Sequence, residues 1–194
     1  MRKLSIYSIS ILFSAINLYP AVLNEKAPPF VVQHAREKIV KFERVPVIVN
    51  AVKAENNIGK HMRDILNLNE QWRLTRGLAD WMKSYMVSKC GQYLRKIQQL
   101  TPYYAVIFVM SSQGACVAMT DRIENYWYGN DEIFLKSFNE GKGDIYISDV
   151  IFDEASQAYL VYISVPVMDG DKAIGVISFG IDVDRMQDSY TNIE

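Results

Sequence analysis

Aromatic and acidic side chains crowd one short stretch of this chain, Asn125-Tyr126-Trp127-Tyr128-Gly129-Asn130-Asp131-Glu132. An aromatic face attracts an ammonium group by ~0.5–2 kcal/mol. Trp127 and Tyr128 therefore offer walls for a small polar guest, against the plainer reading of Trp127 as core. Arg122 lies just upstream, where a guanidinium can grip a carboxylate through two parallel hydrogen bonds or simply face solvent. Asp131 and Glu132 either line the same hollow or cap a helix starting at Ile133, and one of them is expected to be the cap. Asp182 and Asp184 end an apolar run. Asp182 can close the edge of a pocket or hold a cation. With Asp153 and Glu154 these acids make only a loose oxygen set without EF-hand spacing.

Chemistry beyond binding finds little support. Two His and two Cys cannot supply a four-ligand zinc site of recognisable spacing. Nucleophilic hydrolysis needs a base beside Ser or Cys. His34 and His61 both fall in the helical half, His34 as a surface helix residue and His61 as a cap or partner in a helix turn. No carboxylate pair is singled out by spacing, so the chain is not expected to be an enzyme or to carry a cofactor. Cys90 and Cys116 have two open readings, a disulfide contributing ~3 kcal/mol in the chain-entropy model or two buried thiols. A net charge of −1, with basic residues scattered, gives no reason to expect nucleic acid.

These residues need a scaffold, and 194 residues at 49% hydrophobic suffice for one domain with a sizeable core. Arg2 and Lys3 precede an uncharged apolar run, Leu4–Leu18, followed by Pro20 and Ala21. This is the layout of a secretory signal peptide over residues 1–23, with retention as an N-terminal anchor as the alternative because Tyr19 makes a poor cleavage site. The run is shorter than the ~20 residues of a spanning helix. A single folded domain is expected over 24–186, helical over 24–100 and sheet over 101–186, with a fraying polar tail at 187–194. Phe30–Asn56 reads as a long helix kinked at Pro46. His61–Glu70 and Gln71–Trp81 are shorter helices, the latter weakened at Gly77. Trp81–Gln99 is amphipathic. Strands follow at Tyr103–Met110, Ala115–Met119, Asp144–Val150, Gln157–Val165 and Lys172–Asp182, joined by turns that include the Asp-Gly signal at Asp169-Gly170. The sum is α+β: a long N-terminal helix and short helices on a five-stranded antiparallel sheet. One face packs on the long helix. The other is half covered by Asp121–Asn139, with a pocket beneath.

This order resembles the extracytoplasmic PAS-like sensor domains called PDC or Cache domains. Asn125–Glu132 resembles the family's pocket segment with its Trp. The stretch Gly143–Asp184, containing Val165-Pro166-Val167-Met168-Asp169-Gly170 and Ile174-Gly175-Val176-Ile177, resembles its last three strands. The resemblance is good over Tyr103–Asp184 and weaker over the helices. It implies binding of an amino acid, organic acid or amine. In amino-acid-binding relatives a Tyr and an Asp near Tyr146 and Asp149 contact the ligand, although their odd spacing puts them on opposite faces of a regular strand. Such relatives carry a basic residue two positions before the Trp. Here Asn125 stands there, a departure that weakens an amino-acid assignment. The resemblance also implies a periplasmic or secreted location. With no second apolar run before Glu194, a free-standing single-Cache protein is expected, working through a membrane sensor kinase or chemoreceptor. The alternative reading is a protein-interaction module without a small ligand, its N-terminal helix pairing in a homodimer through Phe30, Phe42 and Val49.

Overall fold

The structure is a computed structural model that describes residues 26–154 and 156–191. The expected signal peptide lies outside the described residues. Seven α-helices and six strands are described, helices first and sheet second, as the order of patterns requires. Among the described residues no helix is long and apolar enough to cross a membrane.

The helical half is more finely divided than the hydrophobic periodicity implies. The expected helix over 30–56 is α1 (Pro29–Glu37), a 3-10 segment (Ile39–Arg44) and α2 (Pro46–Ile58). Val45 is extended, as the residue before a proline prefers, and Pro46 opens α2 at the position where a missing N–H costs nothing. Gly59, left-handed at φ 65°, ends α2. Then come α3 (Met62–Leu74), α4 (Asp80–Val87) and α5 (Lys89–Leu100). Gln71–Trp81 is therefore no separate helix: α3 runs through its first half, and Gly77 sits in the link at φ 66°. The expected helix over 81–99 is two helices. Ser88 breaks the run because its hydroxyl accepts the Gly91 N–H at 3.0 Å and starts α5 afresh.

The sheet is antiparallel throughout, in the order β2-β1-β6-β5-β3, with β4 also paired to β5. Its strands are β1 (Tyr104–Ser111), β2 (Cys116–Met119), β3 (Tyr146–Ile147), β4 (Ile151–Asp153), β5 (Ala158–Asp169) and β6 (Lys172–Asp182). Six strands replace five because the segment expected at 144–150 shrinks to β3, and the turn expected at 152–156 begins with β4. Between β2 and β3 lies α6 (Glu132–Phe138), where Asp131 accepts the Ile133 N–H at 3.0 Å as the expected cap. The expected fraying tail is instead α7 (Val183–Thr191). Met186 anchors it in the core, and the Phe30 and Tyr190 rings meet at 6.0 Å.

Strand alternation sends successive residues to opposite faces of the sheet. Ile107 and Val109 of β1 join Val161 and Ile163 of β5 and Ile177 and Phe179 of β6 in one core, against Ile39, Ile48, Val52 and Leu94 from the helices. Phe108 and Met110 point the other way, into a second core with Trp72, Met82, Tyr126 and Phe134. His34 is buried rather than exposed, because α1 lies on the first face and brings its Nε2 within 2.8 Å of the Tyr104 hydroxyl. Phe30, Phe42 and Val49, expected to be free for a partner copy, pack against the chain's own first core.

Candidate functional site

The second face carries the site. After β2 the chain turns back over the sheet, and residues 121–131 form a cover. Its backbone is tied to the β1–β2 turn: Cys116 N donates to Tyr126 O and Tyr128 N donates to Gly114 O, each at 2.8 Å. The two segments come so close that a Cβ on Gly114 would lie 2.5 Å from Gly129 Cα, and Gly114 has φ 78°. Both constraints call for glycine. α3 holds the cover from the outside. Asn69 Oδ1 accepts from the N–H groups of Tyr126 and Trp127 at 3.0 Å each, and Trp72 Nε1 donates to Ile123 O at 2.8 Å. Arg122 Nη2 donates to Trp72 O at 3.0 Å and to Thr75 O at 2.8 Å, tying the cover to the carbonyls at the C-terminal end of α3.

Between this cover and the β4–β5 hairpin lies a cleft of about 900 Å³. Val106, Phe108, Leu160 and Tyr162 form its floor. The cover contributes Asp121, Arg122, Glu124, Tyr128 and Asp131, and the hairpin Ile151, Phe152, Asp153 and Glu154. Phe108 lies 5.2 Å from the Tyr128 ring and 6.3 Å from that of Tyr162. Gly180 keeps the floor low, since a Cβ there would lie 2.8 Å from Val106 Cγ1 and 3.3 Å from Tyr162 Cε1. Burial pushes the phenols of Tyr128 and Tyr162 well above their ordinary values. For Tyr162 the charges of Asp153, Glu124 and Asp131 push in the same direction. Both hydroxyls thus stay protonated. The Tyr128 hydroxyl accepts the Asn125 N–H at 3.3 Å.

Of the residues singled out from sequence, Tyr128, Arg122 and Asp131 line this cleft, while Trp127, Asn125, Tyr146, Asp149 and Asp182 lie outside its lining. Trp127 lies against Gly129 and donates from Nε1 to Gln113 O at 2.7 Å, clamping cover to turn. The Tyr146 hydroxyl donates to Glu132 at 2.8 Å. Burial and that carboxylate push its phenol up to about 12, and Lys136 sits 5.0 Å over its ring. Tyr146 packs on the second face, whereas Asp149 pairs with Lys26 at 3.0 Å, so the odd spacing does separate them. Asp182 accepts the Arg185 N–H at 3.0 Å and pairs with the Arg185 side chain at 3.2 Å, starting α7. Cys90 and Cys116 are both free and buried, which is the two-thiol reading and not the disulfide. Among the described residues no group of three or more His, Cys, Asp or Glu could hold a metal ion. The same acids therefore form no calcium set.

Sequence reasoning missed Phe108, Tyr162, Glu124 and Arg73. Alternation in β5 was the available signal for Tyr162: Leu160 and Tyr162 oppose Val161 and Ile163. Phe108 sits in a run that is apolar on both faces, where alternation is invisible.

The fold is that of a PDC sensor domain. Residues 77–188 match the model of the methyl-accepting chemotaxis protein-like first PDC sensor domain, and the chain belongs to that family. Among solved structures it is similar to the sensor domain of the V. cholerae histidine kinase DctB, at 15% identity and a TM-score of 0.51 over 82% of this chain and 52% of that one. The chain thus spans about half the length of that domain. It is also similar to the sensory domain of the Campylobacter jejuni chemoreceptor Tlp3 with isoleucine bound (15% identity, TM-score 0.44, 83% of this chain and 66% of that one). A third likeness is to the E. coli DcuS sensor domain (17%, TM-score 0.40, 66% and 96%). No curated protein sequence matches the chain.

Proposed function

We propose that this chain is an extracytoplasmic sensor domain that binds a small polar metabolite (an amino acid, organic acid or amine) in the cleft under the 121–131 cover. It hands the signal to a membrane sensor kinase or chemoreceptor. Residues 1–23 serve as its export signal. One observation carries this reading: a cleft of about 900 Å³ lies on the sheet of a PDC fold, with aromatic rings on its floor and ionised groups on its walls. A site with an apolar floor and a few convergent polar groups is the usual form of a small-molecule pocket. Tyr128, Tyr162 and Asp131 are its contacts. Trp127, Tyr146 and Asp182 shape the frame around it.

The test is a thermal-shift screen of the purified chain against amino acids, organic acids and amines, repeated on Tyr162→Ala and on Ala105→Trp, which fills the cleft. A ligand that binds only the folded state raises the Tm with the logarithm of its concentration. The rise is expected to vanish in both variants while far-UV circular dichroism is unchanged. A rise that survives both places the ligand elsewhere and defeats the assignment.

A further inference from the structure

The charges of the cleft narrow its ligand further, an inference that rests on the reading of the cleft as the binding site. A carboxylate ligand needs an open cationic fork, and Arg122 does not offer one. A guanidinium takes a carboxylate bidentately either end-on through Nη1 and Nη2 or side-on through Nε and Nη2. Both modes need Nη2, and its two hydrogens are already directed at Trp72 O and Thr75 O. Arg122 Nε is buried without a partner, so a ligand in the cleft does not reach it. Arg73, on the last turn of α3, is the other lining guanidinium, a single cation against the five carboxylates Asp121, Glu124, Asp131, Asp153 and Glu154 of the same lining.

The carboxylates are disposed otherwise. Glu124 and Asp131 stand on the cover and Asp153 and Glu154 on the opposed hairpin. Glu124 and Glu154 are exposed, and among the described residues their carboxylates have no hydrogen-bond partner. Asp131 and Asp153 each commit one oxygen to a local N–H, Asp131 Oδ1 to Ile133 and Asp153 Oδ2 to Ser156, and keep the other. Between the two walls lies the half-buried ring of Tyr162, backed by the buried Phe108 and suited to methylenes and to the cation–π attraction of an ammonium. Tyr162 lies in the same cleft as Glu124 and Asp131 of the cover and Asp153 and Glu154 of the hairpin. A ligand with one ammonium neutralises one wall and leaves the other repelling. We propose that the cleft takes a linear aliphatic diamine or polyamine carrying no carboxylate, its terminal ammonium groups on the two acidic walls and its methylene chain over Tyr162.

The experiment is isothermal titration of the full chain at fixed ionic strength with putrescine, spermidine, butylamine, succinate and glutamate. Putrescine or spermidine is expected to bind, and butylamine to bind about tenfold or more weakly, since it lacks the second charge. Glu124→Gln and Glu154→Gln are each expected to weaken amine binding about twofold to fivefold, the range of a solvent-screened charge pair. Asp171→Asn, an exposed acid on the β5–β6 turn, is expected to leave it unchanged. Succinate or glutamate binding more tightly than either amine, and lost in Ala105→Trp, overturns the charge assignment while the cleft remains a binding site. Amine affinity unaffected by both Glu variants overturns it as well, because the amine is then held elsewhere. Absence of binding by putrescine and spermidine overturns it outright.

Discussion

Trp127 and Asp149 show how one residue type can serve a frame or a ligand. Trp127 donates its only side-chain proton to Gln113 O at 2.7 Å and packs on Gly129. Trp127→Phe keeps most of the ring and removes the donor, leaving a carbonyl unpaired. It is expected to cost about 1–2 kcal/mol in urea denaturation, with the ligand-induced Tm shift retained. Asp149 faces Lys26, whose side chain is 88% exposed, and Asp149→Ala is expected to cost under about 1 kcal/mol. A lost ligand shift in either variant would return that residue to the site. Tyr128, Asp131 and Arg122 were legible in the sequence because they crowd one segment. Tyr162 was not, because it reaches the cleft through strand pairing more than thirty positions away. His34 sets a pH dependence on the opposite face. Burial lowers its pKa below 6.5, the nearby Lys38 lowers it further, and Glu37 opposes both. Tyr103 and Tyr104 pack around the ring. The unfolded chain therefore binds the proton more tightly than the folded one. Stability is full above the unfolded pKa and is lost as pH falls from it toward the folded value. Replacing His34 with Phe is expected to flatten the fall in Tm between about pH 7 and pH 5, and an unchanged slope would assign it to other groups.

At the scale of elements, the break between α4 and α5 explains why the helical half was harder to read than the sheet. Strands declare themselves by alternation and by Gly turns, and β6 begins and ends at the residues expected, Lys172 and Asp182. The break at Ser88 has no proline and no left-handed glycine. Its cause is a serine hydroxyl competing with the helix for the Gly91 N–H, together with the close approach of α4 to α5. A Cβ on Gly91 would lie 2.4 Å from Met86 O, a backbone atom that cannot turn aside. Ser88→Ala is expected to cost about 1 kcal/mol through the lost cap. Gly91→Ala should cost more, about 2–3 kcal/mol, because its clash is with main chain. Chemical denaturation of the pair separates the two effects, and a Gly91→Ala variant as stable as the parent would show that the helices have room to part. α7 escaped notice for a related reason: its polar surface reads as tail, and the Met186 contact that fixes it depends on a sheet assembled from distant segments.

For the whole molecule, the two faces of one sheet divide the work. The first face is covered by α1, α2, α5 and α7 and holds a continuous aliphatic core. The second face is open at the cleft, and its two walls differ in how they are held. The cover is fastened to α3 by Asn69, Trp72 and Arg122, so cover and helix form one unit. The opposite wall is the β4 hairpin, whose short edge strand pairs, among the described residues, with β5 alone. Its Phe152 and Tyr159 rings pack on each other and are half exposed. Such an edge, with few buried contacts, opens locally at low cost. A ligand touching both walls would join the weaker wall to the firmly held one. Amide hydrogen exchange with and without saturating ligand is therefore expected to slow most at residues 151–154 and 156–158, less at 121–131, and not measurably at Val176–Phe179 in the centre of β6. Protection confined to the α1–α2 side, with the hairpin unchanged, would mean that the sheet's other face carries the response.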